Sequence, residues 1–149
     1  MRDAVLSSGL DGRLVLRKLS SAASSAGAKA LFKWEPARLG APLLDVAWSP
    51  LLPLVFASAA EDGVIYVYDL GHSTAGAWAA LDARSLAGAE RHPPRHPRAR
   101  GAAAHGVAFN PRIDGTIAAA YSDGTIRVWR LPSGLSRGGQ GRLRSLLVE

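Results

Sequence analysis

The chain has no cysteine, which excludes disulfide staples and thiolate-held zinc and is the usage expected of a chain kept inside the cell. It has no apolar run approaching the roughly 20 residues of a membrane-spanning helix. Its opening residues, MRDAVLSSGLDG, hold no apolar stretch long enough for a secretory signal. Acid is missing from one long stretch. Between Glu90 and Asp114 there is no Asp or Glu, while Arg91, Arg95, Arg98, Arg100 and Arg112 fall there with His92, His96 and His105. No aromatic residue is interleaved with the arginines of 91–100. A stacking platform for bases is therefore lacking, and nucleic acid is not expected as a partner.

Arrangements that carry chemistry are also missing. His92 and His96 have the spacing of a helical metal pair, but Pro93, Pro94 and Pro97 forbid the helix that would bring them together. Gly138-Gly139-Gln140-Gly141 follows no strand and lacks the Gly-Lys-Ser/Thr ending of a phosphate loop, so it reads as a linker. The serine clusters at Ser20–Ser25 and Ser133–Ser136 read as ordinary loops. No Ser/His/Asp set or carboxylate pair can be nominated. No catalytic residue, metal ligand or cofactor site is expected.

What the chain does have is repetition. Residues 46–70 and 107–131 are two versions of one segment, 61 residues apart with no gap, and 10 of their 25 positions are identical. Trp48/Phe109 and Tyr68/Trp129 keep an aromatic at the same place. A third, partial copy lies at Asp11–Leu19, aligned with Asp62–Leu70 and Asp123–Leu131. Upstream of it Ala4–Leu10 leaves room for one strand. Self-similarity on this scale marks a stacked supersecondary unit. The repetition also gives the acids of the turns a structural task, since catalytic residues rarely recur once per unit.

Each unit reads as strands parted by turns. Leu44–Trp48 alternates and is stopped by Ser49-Pro50, because proline has no N–H for a ladder. Leu54–Ala60 and Val64–Tyr68 are apolar and β-rich, and Asp62-Gly63 between them is a hairpin-turn signal. Gly115–Tyr121, Asp123-Gly124 and Thr125–Trp129 repeat this order. A weaker fourth strand is expected at Lys29–Trp34, Ala75–Leu81 and Arg142–Val148. Three strong strands and one weak outer strand make the blade of a β-propeller. The fold class predicted is all-β: a partial propeller of about 2.5 four-stranded blades. A closed ring typically needs about four to eight, so the chain is expected to be the C-terminal part of a longer propeller. The divisions expected are an incomplete blade at 1–35, a full blade at 36–82, a disordered Arg/Pro/His-rich insertion at 83–104, and a last blade with its tail at 105–149.

The units resemble WD repeats, on Asp123-Gly124-Thr-Ile126-Arg-Val128-Trp129-Arg, Asp62-Gly63-Val-Ile65-Tyr-Val67-Tyr68-Asp69 and the Trp48-Ser49-Pro50 and Phe109-Asn110-Pro111 stops. The resemblance implies that the turn aspartates bond neighbouring loop groups and that the strand-end aromatic packs between blades. The positions concerned are Asp11, Gly12, Asp62, Gly63, Tyr68, Asp123, Gly124 and Trp129. The glycine-histidine pair usual ahead of each unit is missing, and His105 stands too close to Phe109 to replace it.

A narrower resemblance lies in Trp48-Ser49-Pro50-Leu-Leu-Pro53-Leu54-Val55-Phe56-Ala57-Ser58, followed by a Val-Tyr-Asp-Leu strand. It is similar to the intermediate chains of dynein motors, most of all those of the intraflagellar-transport dynein, dynein-2. That resemblance implies a non-catalytic scaffold whose partners are the dynein heavy chain and other dynein subunits. It implies a place in the cytoplasm and cytoskeleton, at the cilium or flagellum. The partner surface expected is the rim formed by Ser49–Leu54 and Asn110–Gly115, with Leu51, Leu52, Leu54 and Arg112. The competing expectation is an adaptor outside motors, recruiting substrates for ubiquitin transfer or presenting RNA-processing partners through the basic insertion.

Overall fold

A computed structural model describes residues 4–18, 30–37, 40–82, 101–131 and 135. Ten strands are described: β1 (Ala4–Ser8), β2 (Leu14–Lys18), β3 (Ala30–Trp34), β4 (Leu43–Trp48), β5 (Val55–Ala60), β6 (Val64–Asp69), β7 (Ala79–Asp82), β8 (Ala104–Phe109), β9 (Thr116–Tyr121) and β10 (Ile126–Arg130). They form three antiparallel meanders, β1-β2-β3, β4-β5-β6-β7 and β8-β9-β10, and these sheets do not close on one another. No helix among the described residues is long and apolar enough to cross a membrane.

The strands fall where the repeat places them. The tight turns sit at Asp11-Gly12, Asp62-Gly63 and Asp123-Gly124, and each glycine has the positive φ (75°, 82° and 81°) that such a turn requires. The weak outer strand is real in two sheets: β3 is described over Ala30–Trp34, within its predicted span, whereas β7 starts at Ala79, four residues later than the sequence pattern indicated. Gly76, Ala77 and Trp78 precede it, and the Trp78 N–H still reaches the Val67 carbonyl at 2.7 Å. The candidate strand at 142–148 and the arginine-rich stretch 83–100 lie outside the described residues. Ala103 lies against the last sheet, where its N–H donates to Ser122 Oγ at 3.0 Å, and β8 begins at Ala104.

The middle sheet is covered on both faces. All six residues of β5 and all six of β6 are buried. Successive side chains of a strand point to opposite faces, and the two cores divide accordingly. Ala57, Ala59, Ile65 and Val67 meet Val107, Phe109, Ile117, Ala119 and Tyr121 of the third sheet. Phe56, Ala60, Tyr66 and Tyr68 meet Leu14, Leu16 and Trp34 of the first. The third sheet is covered on one face only: β9 alternates buried and less buried residues, and Ile126 and Val128 are 73% and 65% exposed. Ile126 and Val128 are the repeat equivalents of Ile65 and Val67, which are 0% exposed. Identical side chains thus differ in burial only through their place in the stack.

Candidate functional site

The three Asp-Gly turns share one construction. Each aspartate Oδ1 accepts the N–H two residues on, from Arg13 (3.1 Å), Val64 (3.0 Å) and Thr125 (3.0 Å). Each glycine N–H closes the turn onto a carbonyl three residues back, of Gly9, Ala60 and Tyr121. Two of the carboxylates take a further local donor. Asp62 Oδ2 accepts the Tyr66 hydroxyl at 2.7 Å, and Asp123 Oδ1 also accepts the Thr125 hydroxyl at 2.7 Å. The Thr125 hydroxyl, and then its N–H, hold the Asp123 carboxyl below the usual carboxylate range.

Between the second and third turns lies a small polar cleft of about 60 Å³, partly open to solvent and lined by Asp62, Asp82, Asp123, Tyr121, Thr125 and Arg127 together with Gly63, Gly101 and Ala102. The Arg127 guanidinium lies 5.9 Å from the Tyr121 ring centroid, over its face. Tyr121 is 6% exposed, and its hydroxyl has no hydrogen-bond partner among the described residues. Burial pushes this phenol up to about 12; Arg127 opposes the rise, and Asp82 and Asp123 add to it. Among the described residues no group of three His, Cys, Asp or Glu is placed to hold a metal ion.

The second junction is aromatic. Tyr68 stacks on Phe56 (centroids 4.7 Å, 11°) and leans on Trp34 of the first sheet at 5.4 Å. The Trp34 indole N–H crosses to the Thr74 carbonyl at 2.8 Å. Burial drives the Tyr68 phenol far up, with the neighbouring Tyr66 adding to it. Trp129, at the equivalent place in the third sheet, is half-buried and meets Tyr121 at 6.4 Å.

The predicted partner rim is split by the fold. Leu51 is 44% exposed and Arg112 is exposed, at equivalent positions of the two repeats. Leu52 (3% exposed) and Leu54 (0%) are core side chains, so neither offers surface. The reason is local: Ser49 Oγ accepts the Leu52 N–H at 3.1 Å and the Val55 N–H bonds the Leu52 carbonyl, which turns the loop inward onto the sheet. In the second copy Asn110 Oδ1 accepts the Arg112 and Ile113 N–H groups, and Ile113, the counterpart of Leu52, is 51% exposed.

Two groups escaped the sequence reading. Asp45 Oδ2 accepts the Val107 N–H at 2.9 Å, a bond from the second sheet to the third, while its Oδ1 takes the Val46 N–H. Its repeat counterpart is Gly106, so alignment of the copies hides it. A bulge at the same repeat position in β4 (Leu43/Asp45) and β8 (Ala104/Gly106) sets this geometry. The cleft was hidden too, because Asp82 and Arg127 have no shared motif.

Residues 37–69 match the family described as WD domain, G-beta repeat. The match spans β4 to β6 with the Asp62-Gly63 turn, the sheet covered on both faces. No curated protein matches the chain. Residues 37–69 thus form a WD repeat, the three antiparallel sheets are consistent with a partial propeller, and a repeat of this type suggests a protein-interaction scaffold.

Proposed function

We propose that the chain is a non-catalytic scaffold of a dynein motor, an intermediate-chain propeller segment that docks the heavy chain in retrograde intraflagellar transport. The observation that carries this reading is the segment Trp48–Ser58, whose likeness to dynein-2 intermediate chains extends through the Asp-Gly strands on either side. The matched WD repeat contains that segment. The protein would work by surface alone. Its rim offers Leu51 and Arg112, and the open face of the last blade offers Ile126 and Val128. ATP hydrolysis would belong to the heavy chain.

The test is affinity capture of the tagged chain from ciliated cells. The dynein heavy chain should be recovered. Leu51→Asp combined with Arg112→Glu should sharply reduce that recovery, and deletion of residues 88–101 should leave it intact. Absence of every dynein subunit from the captured material would overturn the proposal. So would loss of the captured partners on deleting 88–101 while the double variant keeps them, which is the behaviour of an adaptor outside motors.

A further inference from the structure

We infer that two copies of this chain close one ring of six sheets. The open face of each copy's third sheet packs on the outer face of the other copy's first sheet. Within the chain one kind of junction is made twice. Leu14 and Leu16 of the first sheet meet Phe56, Tyr66 and Tyr68 of the second, and Ile65 and Val67 of the second meet Ile117 and Ala119 of the third. Leu14 and Leu16 are the repeat counterparts of Ile65 and Val67, and Phe56 is the counterpart of Ile117. Each sheet thus sets the same forward face against the same rear face of the next. The third sheet carries that forward face again, as Ala118, Ala120, Ile126 and Val128. Its register is also the same: Ile126 opposes Ala120 and Val128 opposes Ala118, as Ile65 opposes Ala59 and Val67 opposes Ala57. Here Ile126 and Val128 remain largely exposed.

The rear face this junction needs stands at the other end of the same chain. Val5, the counterpart of Phe56 and Ile117, is 42% exposed. Residues opposed across a ladder share a face, which groups Val5, Ser7, Val15, Arg17 and Lys33 on the outer side of the first sheet. Arg17 holds the place that Tyr68 packs in the second sheet. The stems of arginine and lysine cover apolar surface while their charges reach water. Opposite them, Gly106, Ala108, Ala118 and Ala120 floor a shallow groove of about 340 Å³ beside Ile126. A floor of such small side chains leaves room for larger ones. A forward end and a rear end fit a head-to-tail contact, which continues the junctions already made inside the chain. Each copy supplies three sheets. Closed propellers typically hold about four to eight blades, so one copy is too few, three are too many, and two close the ring about a twofold axis. The Leu51 and Arg112 rim is left accessible, so this pairing does not depend on the motor reading.

The test is sedimentation equilibrium of the full chain over a dilution series, which should give twice the mass of one copy. Ile126→Asp or Val128→Asp should raise the dimer dissociation constant at least about tenfold, because the burial of a large aliphatic side chain is lost. Val5→Asp should do the same from the other end. Far-UV circular dichroism should be unchanged in all three, since these side chains are exposed in the single copy. Cross-linking reads the direction. The chain has no cysteine, so a Val5→Cys copy and a Val128→Cys copy each carry one thiol. A bismaleimide spanning about 10 Å, the spacing of packed sheets, should join the two variants in a mixture and should join neither to itself. A monomer at every dilution up to about 0.1 mM, where even a contact of about 10 μM is mostly formed, would refute the pairing. A dimer broken by Val128→Asp but not by Val5→Asp is a face-to-face pair of third sheets and overturns the head-to-tail ring. Assemblies of three or more copies overturn it as well.

Discussion

Gly63 and Gly124 hold the same place in two copies of one turn, with φ of 82° and 81°, yet substitution by alanine should cost very different amounts. An alanine at either site must adopt a left-handed conformation, at about 1–2 kcal/mol. Part of that is offset by about 0.4–1 kcal/mol because the unfolded chain loses freedom too. At Gly124 a new Cβ meets nothing within 4 Å. The net loss there should be below about 1.5 kcal/mol. At Gly63 the same atom would stand 2.6 Å from the Ala102 carbonyl oxygen, in the segment leading into β8. Backbone cannot swing aside as a side chain can, so the junction between the second and third blades must shift. Overpacking of this kind adds about 1–3 kcal/mol, bringing Gly63→Ala to about 2–4 kcal/mol. Gly12→Ala belongs with it, since its Cβ would lie 2.9 Å from the Gly40 carbonyl oxygen in the segment leading into β4. Urea unfolding of the full chain, followed by tryptophan fluorescence at constant m-value, measures all three. Equal losses at 63 and 124 would refute the claim that these glycines let one blade's turn touch the lead-in to the next.

Ser58 is 0% exposed, its hydroxyl has no partner among the described residues, and its repeat counterpart is Ala119, so Ser58→Ala should raise stability by about 1 kcal/mol in the same unfolding assay. Asp45→Ala strips the Val107 N–H of its acceptor and should cost about 1–3 kcal/mol, while Asp45→Asn, which keeps an oxygen there, should cost clearly less. The Tyr121 phenol, raised from 10 to about 12, holds its proton more tightly in the folded chain. Its contribution is therefore whole below pH ~10 and is lost as pH climbs toward ~12. Unfolding measured at pH ~9 and ~11.5 should show a smaller alkaline loss in Tyr121→Phe than in the parent chain.

The blade was legible because its determinants are local. Asp-Gly turns, proline stops and β-rich runs specify strands without reference to distant residues, and their recurrence fixed the phase of all three sheets. Burial was not local. Leu51, Leu52 and Leu54 look alike in sequence, and only the inward turn capped by Ser49 decides that Leu52 and Leu54 enter the core while Leu51 stays out. Cross-blade groups were illegible for a related reason. Asp45 has no partner in its own repeat and no counterpart in the next, since Gly106 stands there, so alignment removes the signal. The cleft draws Asp82 from an outer strand of one blade and Arg127 from the third strand of the next. Nothing in the spacing of the repeat places these two together.

The divergence between copies is itself informative. Along the paired strands the two units agree at Ala57/Ala118, Ala59/Ala120, Ile65/Ile126 and Val67/Val128, although Ile126 and Val128 are exposed in the last sheet. At the turns they part. Tyr66 gives its hydroxyl to Asp62 and completes that turn, whereas its counterpart Arg127 lies over Tyr121 and leaves Asp123 to Thr125. Tyr121 in turn replaces Ala60, and so brings an aromatic ring and an unpaired hydroxyl to a place where the other blade has only a methyl group. The turn needs neither change: Gly63 and Gly124 close it with the same bond at 3.0 Å in both blades. Arg127 and Tyr121 are thus additions to a turn already complete, and they fall together on the one wall shared with Asp62 and Asp82.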